Sequence, residues 1–125
     1  MAPRLILLSL LAASQWVFAD TTVKQFRADM ARPDSQMTAL TKTYIIGLGE
    51  GFGWANADVV ADGKKPLFCA PGKLSLTLEN YIDMINQQIK EFEGAVSLAE
   101  KDKVDTMSIG FLLLRGLQET FPCKK

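Results

Sequence analysis

The sequence predicts a small, compact all-α domain of about four helices, stapled by one disulfide. Three observations predict it. Apolar residues recur at helical spacing in three segments, little of the chain alternates at the two-residue period of a strand, and two cysteines lie far apart in a chain that opens with an export signal. The 125 residues leave room for one such domain.

The elements follow in chain order. Arg4 supplies a positive start, Leu5 to Ala13 form a short apolar run, and Val17-Phe18-Ala19 places small residues before Asp20. That is the pattern of a secretory signal peptide over residues 1–19, cleaved after Ala19. The run is less than half of the roughly 20 residues that a bilayer-crossing helix needs, so no anchor is expected after cleavage. The domain proper is then residues 20–125, exported to an oxidising compartment. A short helix is expected near Val23 to Met30. Met37, Leu40, Tyr44, Leu48, Ala55 and Val59 mark one face of a long second helix, with Asp34 or Ser35 able to cap it. Leu78, Tyr81, Ile82, Ile85, Ile89 and Phe92 mark a third, capped by Thr77, favoured by Glu79 in its first turn and stopped by Gly94. A last helix runs from about Val104 to Glu119 through Met107, Phe111, Leu114 and Leu117, with Asp102 or Asp105 as cap and Pro122 closing it.

Turn-formers on both sides, Asp62 to Pro66 and Ala70 to Gly72, place Cys69 in an irregular crossing loop, and Cys123 follows the last helix. In an oxidising compartment an even pair reads as a disulfide, and two cysteines allow one connectivity. Closing a loop of 54 positions stabilises by about 4 kcal/mol in the chain-entropy model. A reactive thiol is the rival reading, but it would want an electropositive setting and a base, and Phe68 and Pro122 flank these cysteines instead.

Composition excludes several functions. With no histidine, imidazole catalysis and nearly all zinc chemistry are unavailable. Fourteen Lys and Arg balance fourteen Asp and Glu, without the basic excess of a nucleic-acid binder. No catalytic residue, metal or cofactor is expected, and the chain reads as a non-enzyme.

The run Gly47-Leu48-Gly49-Glu50-Gly51-Phe52-Gly53 mimics a phosphate-cradling loop but lacks both a Gly-Lys-Ser/Thr ending and a dinucleotide fingerprint. Each interior glycine costs a helix about 1 kcal/mol relative to alanine, so Gly47, Gly49, Gly51 and Gly53 are candidates for close helix packing or a dimer contact. Glu50, Asp58, Asp62 and Glu79 are the carboxylates available for paired acid–base work, though spacing brings no two of them together. Trp54, Tyr44 and Tyr81 read as core aromatics before pocket-lining ones. Between Glu91 and Asp105 five acidic residues face Lys101 and Lys103, so this connection is locally acidic.

Several stretches together carry a resemblance. They are Tyr44 to Gly51 (YIIGLGEG), Pro66 to Pro71 (PLFCAP), Leu76-Thr77-Leu78-Glu79 and Phe121-Pro122-Cys123, in an exported helical chain. The chain resembles the Rap/Tai family of periplasmic type VI secretion immunity proteins from about Thr38 to Cys123. The resemblance implies periplasmic localisation, a small all-α domain, an intramolecular Cys69 to Cys123 disulfide, frequent homodimers and tight binding of a peptidoglycan amidase effector, whose cleft the protein occludes. The family's matching motifs hold the fold and leave the contact residues open. The polar, charged loop of Ser97, Glu100, Lys101, Asp102 and Lys103 is the candidate inserting element, and the turn from Asp62 to Lys65 is the runner-up. The alternative function is a general periplasmic helper, such as an acid-stress chaperone-like domain that exposes apolar surface.

Overall fold

The computed structural model describes residues 20–125; the expected signal peptide and its cleavage after Ala19 fall on residues 1–19, outside the described residues. The described chain is all-α. Five α-helices follow one another: α1 (Val23–Met30), α2 (Gln36–Ala61), α3 (Leu78–Ala95), α4 (Lys101–Asp105) and α5 (Ile109–Thr120), with a 3₁₀ turn over Leu98–Glu100. Among the described residues the extended pairing is a single antiparallel bridge between Thr22 and Ser108.

Side chains start these helices as their types dictate. Thr22 accepts from the Gln25 N–H at 3.3 Å, and Ser35, rather than Asp34, accepts from the Met37 N–H at 3.2 Å. Thr77 and Asn80 form a reciprocal capping box on α3, with Asn80 N–H donating to Thr77 and Thr77 N–H donating back at 2.9 Å. At the end of α2 the chain needs a left-handed residue, and Gly63 supplies it at φ 70°. Gly63 N–H then reaches Val60 O and Lys64 N–H reaches Val59 O, the two bonds of a Schellman motif. The expected stop at Gly94 is not the one used: Gly94 lies in the last turn of α3, which ends where half-buried Val96 turns extended and packs on the core.

The expected last helix from Val104 is two helices. Thr106 to Ser108 break it because the start of the chain docks there: Val23 N–H donates to Met107 O at 2.9 Å and Ile109 N–H to Thr21 O at 3.0 Å. Ser108 then caps α5 by accepting from Gly110 and Phe111, while its hydroxyl donates to Asp20 at 2.8 Å. Neither Asp102 nor Asp105 caps α5.

The core is Val23, Phe26, Ile45, Phe68, Ile85, Ile89, Val104, Ile109, Leu112, Leu113 and Leu117. The closest-packed pair is α3 with α5. Gly116 makes that approach possible, since a Cβ there would sit 2.8 Å from Met84 Cβ. On α3 the expected stripe faces inward throughout. On α5 it does not: the buried line is Ile109, Leu112, Leu113, Gly116 and Leu117, and Phe111 lies outside it, its ring 6.3 Å from that of Phe92.

On α2 the buried line is Thr38, Thr41, Ile45 and Gly49, about one residue round from the apolar stripe that the periodicity picks out. The reason is a polar joint to α1. Asp29 is fully buried, and its carboxylate accepts from Gln25 Nε2 at 2.7 Å and from Thr41 Oγ1 at 2.6 Å. Thr38 Oγ1 donates to the carbonyls of Asp29 and Arg32. Removing one partner of such a network strands the others without water. Asp29→Ala is therefore expected to cost about 2 to 3 kcal/mol in a urea melt; a cost below about 0.5 kcal/mol would mean that water replaces the carboxylate.

Candidate partner-binding surfaces

The crossing loop and the chain end form one stapled unit. Cys69 and Cys123 are bonded, with Cα atoms 4.9 Å apart, and Cys69 N–H donates to Phe121 O at 2.8 Å. Asn56 of α2 clamps the same loop from the other side. Its Oδ1 accepts from Leu67 N–H at 2.7 Å and Phe68 N–H at 3.3 Å, and its Nδ2 donates to Phe68 O at 3.0 Å. Buried Phe68 is thus held by backbone bonds as well as by packing.

The loop from Ser97 sits at the other end of α3. Val104 is buried and anchors it, and Arg27 of α1 pairs with Glu93 before it and with Asp105 after it, the latter at 3.1 Å. Within it three of the candidate residues meet: Glu100 accepts from Lys103 Nζ at 3.0 Å and from Ser97 Oγ at 3.3 Å. The hydrogen bond from Lys103, then those from Ser97, hold the Glu100 carboxyl below the usual range. A lowered carboxyl value contributes order above the unfolded value and loses it as pH falls through the folded one. The brace is therefore complete at neutral pH and opens in acid. Lys101 and Asp102, the other two candidates, are exposed and make no ion pair among the described residues. Sequence reading missed the residue at the tip, Leu98, which is 83% exposed. Its signal was available: one large apolar side chain in a polar loop with no helical periodicity to absorb it.

The second surface is the outer face of α2. Trp54 is 77% exposed and Leu40 57%, so neither joins the core. Between them Tyr44, Gly47, Leu48, Gly51, Phe52 and Ala55 line an open apolar groove of about 450 Å³. Only Gly49 of the glycine run packs inside the chain, where a Cβ would come 2.3 Å from the Tyr81 ring; at Gly47, Gly51 and Gly53 a Cβ would meet nothing within 4 Å. Gly47→Ala, Gly51→Ala and Gly53→Ala are thus expected to stabilise the isolated chain by up to about 1 kcal/mol each in thermal melts. By contrast, Gly116→Ala is expected to destabilise it by about 1 to 2 kcal/mol, because the Met84 side chain and backbone must move. Equal effects at all four positions would contradict this assignment.

The candidate carboxylates Glu50, Asp58, Asp62 and Glu79 are all exposed. Tyr44 and Tyr81 are half-buried, and their phenols are raised chiefly by burial, with Asp20 and Glu50 respectively adding to it. No group of acidic or cysteine side chains among the described residues has the arrangement of a metal site. A polar seam runs between α3 and α5, where buried Gln88 donates to Glu119 at 2.7 Å and to Glu91 at 3.2 Å, and Arg115 pairs with Glu119. It is closed by its own members. The turn from Asp62 to Lys65, the runner-up insertion element, is exposed beside the stapled loop. Comparison with family models, with curated proteins and with solved structures finds no match to this chain.

Proposed function

We propose that the chain is a periplasmic immunity protein that binds a peptidoglycan-cleaving amidase effector of a type VI secretion system and occludes its active-site cleft without chemistry of its own. The observation that carries this reading is the tip of the Ser97 to Lys103 loop. Leu98 stands out on a short scaffold braced by the Glu100 bonds to Ser97 and Lys103, while Val104 and the Arg27 pairs hold both ends. A pre-ordered loop with an apolar anchor is what inserts into an enzyme cleft at low entropic cost. The missing histidine and the resemblance in the Phe68-Cys69 and Phe121-Cys123 segments support the same reading.

The outer face of α2 suits a second copy of the chain. Gly47 and Gly51, one turn apart, let a crossing helix approach, and Leu40 and Trp54 at either end of the groove beside them are exposed. The same groove favours the second reading, a helical helper that holds unfolded clients.

The test is a pull-down with oxidised, tagged residues 20–125 from lysates of strains that make type VI amidase effectors, followed by a peptidoglycan-cleavage assay. One stoichiometric amidase whose activity vanishes on mixing is expected. Many weak clients, with dye-accessible apolar surface at low pH, would favour the helper instead.

A further inference from the structure

The two segments that the disulfide joins are the basic end of an otherwise acidic domain. Residues 62–77 and 121–125 carry Lys64, Lys65, Lys73, Lys124 and Lys125 against Asp62, while the rest of residues 20–125 carries eight basic and thirteen acidic side chains. All five lysines are exposed. The ion pairs of the described residues belong to Arg27, Lys103 and Arg115, so these five are unpaired there. Each lies within five residues of Cys69 or Cys123, and chain reach alone keeps its Cα within about 18 Å of the bridge; the one carboxylate side chain within the same five residues, Glu119, is paired with Arg115.

Apolar side chains stand among them. Leu67 and Leu74 are exposed on the same loop, each beside lysines in the runs Lys64-Lys65-Pro66-Leu67 and Lys73-Leu74, and Val60 is exposed where α2 enters it. Their backbones are held in place. Leu67 N–H donates to Asn56, and Leu74 N–H donates to Pro71 O at 3.0 Å.

We propose that this stapled end docks on an anionic phospholipid surface, with the lysine ammonium groups at the headgroup phosphates and Leu67 and Leu74 at the edge of the acyl region. Lysines on flexible stems suit a diffuse anionic layer, and interleaved leucines add an apolar component that salt does not screen. A nucleic-acid site fits less well. The two segments hold no arginine for bidentate phosphate contacts, and their aromatic residues, Phe68 and Phe121, are buried or half-buried rather than open for stacking. No described helix is long and apolar enough to cross a membrane, so the contact is peripheral. The acidic remainder orients it: α3 runs from the stapled end to the Ser97 loop, about 27 Å over its 18 residues, so that loop faces away from the surface. The docking does not rest on the immunity reading, and its test involves no effector.

The experiment is flotation of oxidised residues 20–125 with vesicles of phosphatidylcholine, with and without phosphatidylglycerol, at low and high salt. At least about tenfold more chain should float with the anionic vesicles, most of it released by salt. A K64Q/K65Q/K73Q/K124Q/K125Q chain should lose that excess, whereas K24Q/K90Q, exposed lysines outside the stapled end, should keep it. L67S/L74S should lose the fraction that resists salt. Circular dichroism melts check that each variant folds. Equal binding to neutral and anionic vesicles, or anionic binding that survives the fivefold substitution, overturns the proposal. Lysine-dependent binding of soluble heparin without vesicle binding overturns it too, in favour of a polyanionic polymer.

Discussion

Replacing Cys69 and Cys123 together by serine is expected to lower the free energy of unfolding by about 4 kcal/mol, from the entropy of opening a 54-residue closure. For a domain of this size that corresponds to a fall in Tm of roughly 15 to 30 °C. It is a large share of the roughly 5 to 15 kcal/mol that small domains possess. The core itself loses little, because α3 and α5 keep their contact. What loosens is the loop from Asp62 to Thr77 and the end after Thr120, now joined to each other by one backbone bond from Cys69 to Phe121, with Asn56 still clamping the loop to α2. Thermal and urea melts of the oxidised chain and the double variant measure the difference. A fall of less than about 5 °C would show that Phe68 and Asn56 hold the loop without the bridge.

The second large effect concerns the partner. Replacing Glu100, Lys101, Asp102 and Lys103 together by alanine is expected to weaken effector binding more than about tenfold, and Leu98→Ala alone to do the same. The two act differently. Exposed charges chiefly steer encounter, so the quadruple variant should slow association and flatten its salt dependence, whereas an apolar anchor in a pocket governs dissociation. Neither change touches buried Val104, so melts should stay within about 0.5 kcal/mol for Leu98→Ala. Effector affinity within about twofold of the parent chain in both variants would remove this loop as the inserting element.

How legible the fold was depended on what each stripe had to pack against. The α3 stripe is readable because one face of that helix does one job, against α2, α5 and the core. On α2 the stripe misleads because that helix has two faces: threonines turned inward to bond the Asp29 joint, and apolar residues that are half-buried at Tyr44 and Leu48 and exposed at Met37 and Leu40. Apolar periodicity finds the second and is blind to the first. The break after Asp105 was equally hidden, since the residues that cause it, Thr21 and Val23, lie more than eighty positions away. In the candidate loop the charges are visible in the sequence, and so is Leu98 as its one large apolar side chain; that it points out follows from how Val104 and Arg27 anchor the loop.

The amino-acid sequence by itself determined the helical class, the cap at Thr77, the start of α2 to within Asp34 or Ser35, and the pairing of its two cysteines, because each depends on local chemistry or on simple count. Only the tertiary structure decided which side of α2 is buried, where the last helix is cut, which glycine touches a neighbour, and that five lysines from two distant segments share one end. Those are products of contacts between residues far apart in the chain, and local spacing carries no information about them.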